Sequence, residues 1–567
     1  MAENCREKIV SEDYVDFIWQ PGLGQVELAE QYPDLCIQPI NDYYSVFYAG
    51  EGFYQGSEGQ YYEYDYEVFP TLYSLLQTEA LEDSGILRLQ NQPLLRLKGE
   101  GVLLGFIDTG IDYRNRCFLD EFGRSRILAI WDQGDQTGQL PQNIGYGSVY
   151  VREQIEEALV SDQPYRIVPG RDVSGHGTRL AALAAGSEDP ETGWLGAAPR
   201  SMVAMVKLKP AKTYLKRYFM VPPEAEAYQE NDIMLGVRFL HELAYAHKMP
   251  LVLCLALGTN MGGHTGTLPL SSYLNAISAR AGRCVVVAAG NEANQGHHYY
   301  GVLQSAEPYQ DVDLRVAENE YGLLMELWSS TPDLISVSLI SPSGEEVPRI
   351  NLGQKSWRFD FLFERTVVYV NFQPLDPYSG EQLIVIRMAY PSPGIWRIRV
   401  YGSQFLHGVY NIWLPVTGFL SPDTVFLNSN PDITVTDPGN AELPITTGAY
   451  NTRNRSIYID SSRGYTRNGR IKPDLAVPGV SVATYGPGNR FTSMSGTSAA
   501  AAITAGAAAL MLEWGVVKKN REILSTIEIK QLLIRGADRS GNDLYPNRSW
   551  GYGTLNLYGA FAALGRF

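Results

Sequence analysis

Four short stretches of this chain hold residues that together suit acyl transfer. Asp108 follows an apolar run in "IDTGID", and His176 stands between two glycines in "DVSGHGTRLAAL". Asn291 closes a second apolar run in "AAGNE", and Ser498 heads an alanine-rich stretch in "SGTSAAAAITAGAAAL". Hydrolysis by a serine needs a nucleophile, a base to take its proton, a carboxylate to fix the base's tautomer and a donor for the oxyanion. Each motif alone has a bland reading. Asp-x-Gly and strand-tip Asn are common turn chemistry, and a bare alanine helix is usually a close-packed core helix. All four together, each at a strand end or a helix head, make the bland reading improbable. A serine at a helix N-terminus also lies beside unpaired N–H groups that stabilise an oxyanion.

The other histidines offer less. His241 and His247 belong to an amphipathic helix, and His264 and His407 sit in loop-like sequence. The pair His297–His298 lacks a third ligand placed by sequence, so a structural role is expected and no metal site is read.

Positioning these groups requires an α/β scaffold. "GVLLGFID" (101–108), "SMVAMVKL" (201–208), "PLVLCLALG" (250–258) and "RCVVVAAGN" (283–291) read as buried strands. Between them, 232–247 and 271–282 carry apolar residues at helical spacing. Strands alternating with helices imply a parallel sheet covered on both faces, with ligands beyond the strands' carboxyl ends. Asp108 and Asn291 stand at such ends. Further along, "LISVSLISPSGEEV", "WRFDFLFERTVVYVNF", "EQLIVIRMAY", "PGIWRIRVYG" and "GVYNIWLPV" alternate at a period of two, which predicts an inserted β-sandwich over about 305–425.

Composition bounds the alternatives. The apolar stretch from Ala499 ends at Glu513, short of the ~20 residues of a bilayer span, and "MAENCREKIVSEDY" lacks the apolar core of a signal peptide. No membrane partner is expected, and the location expected is cytoplasmic. The net charge is −16, and residues 1–77, with 14 acidic and two basic side chains, carry −12 of it. That balance argues against nucleic acid. The same segment holds 11 of the 36 tyrosines, which argues against simple disorder. Five scattered cysteines (Cys5, Cys36, Cys117, Cys254, Cys284) indicate neither a disulfide framework nor a zinc site.

The four motifs closely resemble those of the subtilisin-like serine proteases: "IDTGID" their Asp motif, "GHGTRLA" their His motif, "AAGN" their oxyanion Asn and "SGTSAAAA" their Ser motif. "GAAP" (196–199), "SSRGYTRNGRIKPDLAVPG" (461–479) and "GYGTLNLYGAF" (551–561) agree with it. The resemblance implies Asp108, His176 and Ser498 as a triad and Asn291 as oxyanion donor. Ala256, Leu257 and Gly258 with Ala288, Ala289 and Gly290 would then wall the pocket for the residue before the cut. Glu292 would either favour a basic residue there or be a solvated surface acid. The chain departs from the family where Ala499, Ala502 and Ile503 replace a frequent Met and Pro-His, and where Ala256 replaces a frequent Ser. These departures spare the proton-transfer groups and bear on substrate preference.

The insertion, with "IWDQ", "VKLKPAK", "LGTNMGGHTG" and "GNEANQGHH", further resembles the clostridial Csp germination proteases. That resemblance implies a subtilisin-like parallel sheet flanked by helices (78–304 and 426–567). It adds a small α+β prodomain (1–77) and an inserted jelly-roll-like domain (305–425). It implies a protein or peptide substrate, a proenzyme in germination, and a prodomain that is cut in cis yet stays bound in the active site. The stretch "SLLQTEALEDSG" (74–85) would thread the site as an extended peptide, cut between Gln77 and Thr78, with Gln90 as a second choice. No cofactor is implied; calcium stays open, without an EF-hand-like run. The alternatives are a silent signalling partner with an occluded triad, a permanent N-terminal domain that is never cut, and a general cytosolic subtilase.

Overall fold

The computed structural model describes residues 8, 14–19, 36–39, 45–50, 79–304, 307–350, 353–539 and 543–565. The chain divides into two compact units, Met1–Leu75 and Leu76–Phe567. In the first, strands Tyr14–Trp19, Cys36–Pro39 and Ser45–Gly50 form an antiparallel sheet with the last strand central. Cys36 is disulfide-bonded, a correction to the reading of the cysteines. Among the described residues Cys117, Cys254 and Cys284 are free and buried.

The second unit is built on a nine-stranded sheet. Its parallel core runs in the order Ile445–Asn451, Arg283–Ala288, Leu251–Leu255, Leu103–Asp108, Met202–Lys207, Ile127–Asp132. Strands Leu103–Asp108, Leu251–Leu255 and Arg283–Ala288 are buried along their whole length, which is why they read as uninterrupted apolar runs. Helices Glu230–Ala246 and Pro269–Ser278 cover one face. Helices His176–Ala185 and Thr497–Leu512 lie in the core of the other.

All sixteen residues of Thr497–Leu512 are buried. Such a helix cannot be amphipathic, and its small side chains serve close approach on every side. A Cβ on Gly506 would overlap Ala197 and lie 3.0 Å from the Ala184 carbonyl oxygen, on the His176 helix. Close packing of these two helices brings the His and Ser motifs to one end of the sheet. With the π-turn that follows, Thr497–Val517 is the one described helix long and apolar enough to cross a membrane, and it is 89% buried in the fold.

Between His298 and Phe426 the chain forms two antiparallel sheets of six and five strands around one apolar core. The first strand, His298–Val302, begins before the expected boundary at 305. This sandwich meets the sheet domain through Trp413, stacked between His264 at 4.1 Å and His298 at 4.9 Å. Burial pushes those imidazoles down, to about 3 and about 4.

The described part of the stretch expected to lie extended, residues 79–85, does not. Glu79–Asp83 is a helix, as its helix-forming residues favour. Leu81 is buried, Asp83 accepts hydrogen bonds from Tyr450 and Arg455, and the Ser84 carbonyl accepts from the Leu557 N–H. Gln90 is buried too, its amide donating to the Ala197 carbonyl at 2.9 Å, so it is no accessible cut site. Gln77 and Thr78 lie outside the described residues.

Candidate active site

Asp108 is the last residue of its strand and is fully buried. Its carboxylate accepts the His176 Nδ1 hydrogen bond, with Oδ1 at 2.8 Å and Oδ2 at 3.0 Å. That pairing fixes the tautomer, leaving Nε2 as the acceptor of the neutral ring. Burial pulls the His176 pKa down, but the Asp108 charge and hydrogen bond outweigh it, and the net shift is upward.

His176 opens its helix, and the turn before it is held by a residue the motifs did not reveal. Asp172 is buried, and its carboxylate accepts from the Gly175 N–H at 2.8 Å, the Thr178 N–H at 2.8 Å and the Thr178 hydroxyl at 2.6 Å. It also accepts from the Thr109 hydroxyl at 2.8 Å, and Thr109 directly follows Asp108 in the chain. One acid thus satisfies orphan donors at the helix start and ties that start to the carboxylate partner. Gly177 is required on steric grounds. A Cβ there would overlap the Gly110 carbonyl oxygen and lie 3.1 Å from Asp108 Oδ1.

Ser498 is the second residue of its helix and is 9% exposed. Its N–H belongs to the first turn, where no intrahelical acceptor exists. Beside it, Asn291 is oriented by the same helix. Its Oδ1 accepts from the Thr497 N–H at 3.0 Å and from the Thr497 hydroxyl at 3.3 Å. The Thr497 hydroxyl in turn accepts from the Gly290 N–H at 3.1 Å. With Oδ1 engaged, the Asn291 amide NH₂ is the end left to donate. Gly496 has φ of 112°, and a Cβ on it would lie 3.1 Å from that NH₂ nitrogen. The structure therefore brings Asp108 to His176 and Asn291 to the Ser498 helix. The Ser498 hydroxyl itself makes no hydrogen bond to a described residue.

Glu292 does not serve as a pocket acid. Only 5% exposed, it accepts from His297 Nδ1 at 2.6 Å, Asn260 at 3.2 Å and the Thr417 N–H at 3.1 Å. Burial raises its pKa, but the His297 hydrogen bond and charge, with the Thr417 N–H, hold it below the usual carboxylate range. Both alternatives for this residue are overturned: it is neither a solvated acid nor a partner for a basic substrate residue. It anchors the Asn291 turn to the β-sandwich. His298, its neighbour in the pair, bonds Asn411 and the Asn430 carbonyl. Among the described residues no cluster of three or more His, Cys, Asp or Glu is placed to hold a metal.

A sequence profile of the subtilase family matches residues 99–312 and 424–553, more than half of the chain. The chain belongs to the subtilase family. The match breaks across most of the β-sandwich, which is thus an insertion relative to the family's common core. This subtilase is similar in structure to the CspB protease of Clostridium perfringens, with a TM-score of 0.77 and 32% identity over 86% of this chain and 98% of that one. The serine protease AprX of Bacillus subtilis is 35% identical over 156 residues, 24% of this chain and 32% of AprX. An uncharacterised protein of Aquifex aeolicus, aq_aa18, is 32% identical over 136 residues, 20% of this chain and 59% of that protein. The chain thus spans about a third to three fifths of these two relatives.

Proposed function

We propose that this subtilase is a serine endopeptidase in which Ser498, His176 and Asp108 act as nucleophile, base and orienting carboxylate. The observation that carries the reading is the Asp108–His176 pair at 2.8 Å at the end of the sheet where the Ser498 helix begins. Ser498 Oγ attacks the peptide carbonyl while His176 Nε2 takes its proton. Asp108 stabilises the imidazolium through Nδ1–H, and the Asn291 NH₂ and Ser498 N–H hold the tetrahedral oxyanion. His176 then returns the proton to the leaving amine, and water completes the cycle by the same route.

The substrate is a protein, and the first one is the chain's own N-terminal unit, cut in cis and retained. The similarity to CspB and the resemblance to the Csp germination proteases support processing of a proenzyme as the later role. The test is the denatured mass of the purified chain beside Ser498→Ala. Two fragments from the unaltered chain and one whole Ser498→Ala chain are expected. Identical cutting of both assigns the cut to another protease, and two whole chains remove the cis-processing claim.

A further inference from the structure

At one end of the β-sandwich three loops leave a groove of about 660 Å³. They join Gln310–Val316 to Gly322–Ser329, Ser356–Asp360 to Val367–Gln373, and Gln382–Ala389 to Gly394–Gln404. The groove's apolar side chains face water. Phe363 and its neighbour Leu362 are each 84% exposed at a hairpin tip, and Tyr390, a second lining ring, is 62% exposed. Exposed apolar side chains gathered in one place mark interaction sites.

The polar lining is acidic. Glu318, Glu320 and Glu364 stand against a single cation, Arg365. Glu320 is fixed, its carboxylate accepting from the Ser421 N–H at 3.0 Å and from the Thr424 hydroxyl, while Glu318 is exposed. Glu364 Oε1 accepts from the Ser343 N–H at 3.4 Å, but its Oε2 is buried without a hydrogen bond from a described residue. Buried polar atoms are nearly always paired, so this oxygen lacks a donor.

The groove connects to the catalytic groups. A Cβ on Gly322, two residues beyond Glu320, would lie 3.2 Å from Met220 Cβ. Arg387, three residues before Tyr390, donates to the Tyr218 carbonyl at 3.1 Å and lies 4.2 Å over the Tyr218 ring. Tyr218 and Met220 belong to the segment that leaves the sheet at Leu208, whose N–H donates to the Asp108 carbonyl at 3.0 Å. The single segment 208–220 thus joins the groove to the triad.

We propose that this groove is a docking site for the protein substrate, taking a segment in which lysine or arginine lies beside apolar side chains, away from the bond that is cut. The proposal rests on the endopeptidase reading above and deepens it. Three carboxylates against one guanidinium select a cation, and the exposed rings offer apolar contact and cation–π attraction. A second copy of this chain, with a net charge of −16, is a poor match to an acidic groove.

Fluorescence anisotropy on the Ser498→Ala chain, which cannot cleave the probe, measures binding of a labelled Lys-Phe-Arg-Leu-Lys peptide and of its Glu-Phe-Glu-Leu-Glu counterpart. The basic peptide should bind saturably and at least ~10-fold more tightly than the acidic one. Its affinity should fall at least ~10-fold with Phe363→Ala and with the pair Glu318→Gln and Glu364→Gln, and Phe363→Trp should keep it. In the unaltered enzyme, joining the basic peptide to a scissile peptide through a flexible linker of about 20 residues should lower KM at least ~10-fold at constant kcat. No saturable binding, binding indifferent to the groove substitutions, or an unmoved KM overturns the inference. So does a neutral oligosaccharide that needs Phe363 to bind where the basic peptide does not bind. Because binding is read without turnover, its failure leaves the endopeptidase reading intact. Failure of Ser498 to label with a fluorophosphonate overturns that reading, whatever the peptide does.

Discussion

Replacing Asp172 with asparagine separates the support of the site from its chemistry. Each Asp172 oxygen accepts from one backbone N–H and one hydroxyl: Oδ1 from Gly175 and Thr109, Oδ2 from both donors of Thr178. An amide supplies one such oxygen and turns an NH₂ toward the other pair. The hydroxyl of that pair can rotate to accept, so one buried N–H is left unpaired, at about 1–3 kcal/mol. Loss of the negative charge at the helix start adds about 0.3–1 kcal/mol. The variant should thus lose ~1–4 kcal/mol of local stability, concentrated in the 172–178 turn that aims His176. Misplacement by about 1 Å costs up to 10²-fold in rate, so kcat should fall 10- to 100-fold. KM should move less than about threefold, since Asp172 touches no substrate-binding segment. Steady-state kinetics on a peptide, with hydrogen exchange across 172–178, provides the assay. A variant with unaltered kcat and unaltered exchange refutes the positioning argument, as does a rise in KM at constant kcat.

Other substitutions probe the remaining parts. Asn291→Ala should lower kcat by on the order of 10²–10³ with KM little changed, read from kcat and KM on one peptide. The upward shift of His176 places the acid limb of kcat/KM above pH 6.5, since only the neutral ring acts as base. Asp108→Asn should move that limb to lower pH and reduce kcat by ~10⁴, which a pH–rate profile reads. Asp437 governs stability. Burial raises its carboxyl from 3.8 to about 7, with Glu230 adding to the rise while Ser271, Asn440 and Arg470 oppose it. Because the folded value lies above the unfolded one, its stabilising contribution is full below pH ~4 and is lost as pH climbs through about 7, by at most ~4 kcal/mol. Thermal unfolding of Asp437→Asn between pH 5 and 8 should show a flatter dependence than the unaltered chain.

The parts of the site legible in the sequence are those whose signal is local. Leu103–Asp108 and Arg283–Ala288 are buried on both faces, so each reads as an apolar run, and the reacting group stands at or just past its end. The helix read at 232–247 spans Glu230–Ala246, an offset of one or two residues where termini fray. Residues whose role depends on distant partners left no such trace. Asp172 looks like an ordinary turn acid in "DVSG", and only the fold places Thr109 against it. Glu292 was misread because its partners His297, Asn260 and Thr417 come from three segments. The helix Glu79–Asp83 was misread as extended because the expectation followed a functional role and not the residues, whose propensity is helical.

The central claim is that Ser498 is a nucleophile activated by His176, and covalent labelling with a fluorophosphonate, followed by intact mass and peptide mapping, tests it most directly. The account predicts one adduct per chain on Ser498, none on Ser498→Ala, and labelling slowed by at least ~10³-fold in His176→Ala. An adduct on another residue, or equal labelling of the unaltered chain and His176→Ala, would contradict it.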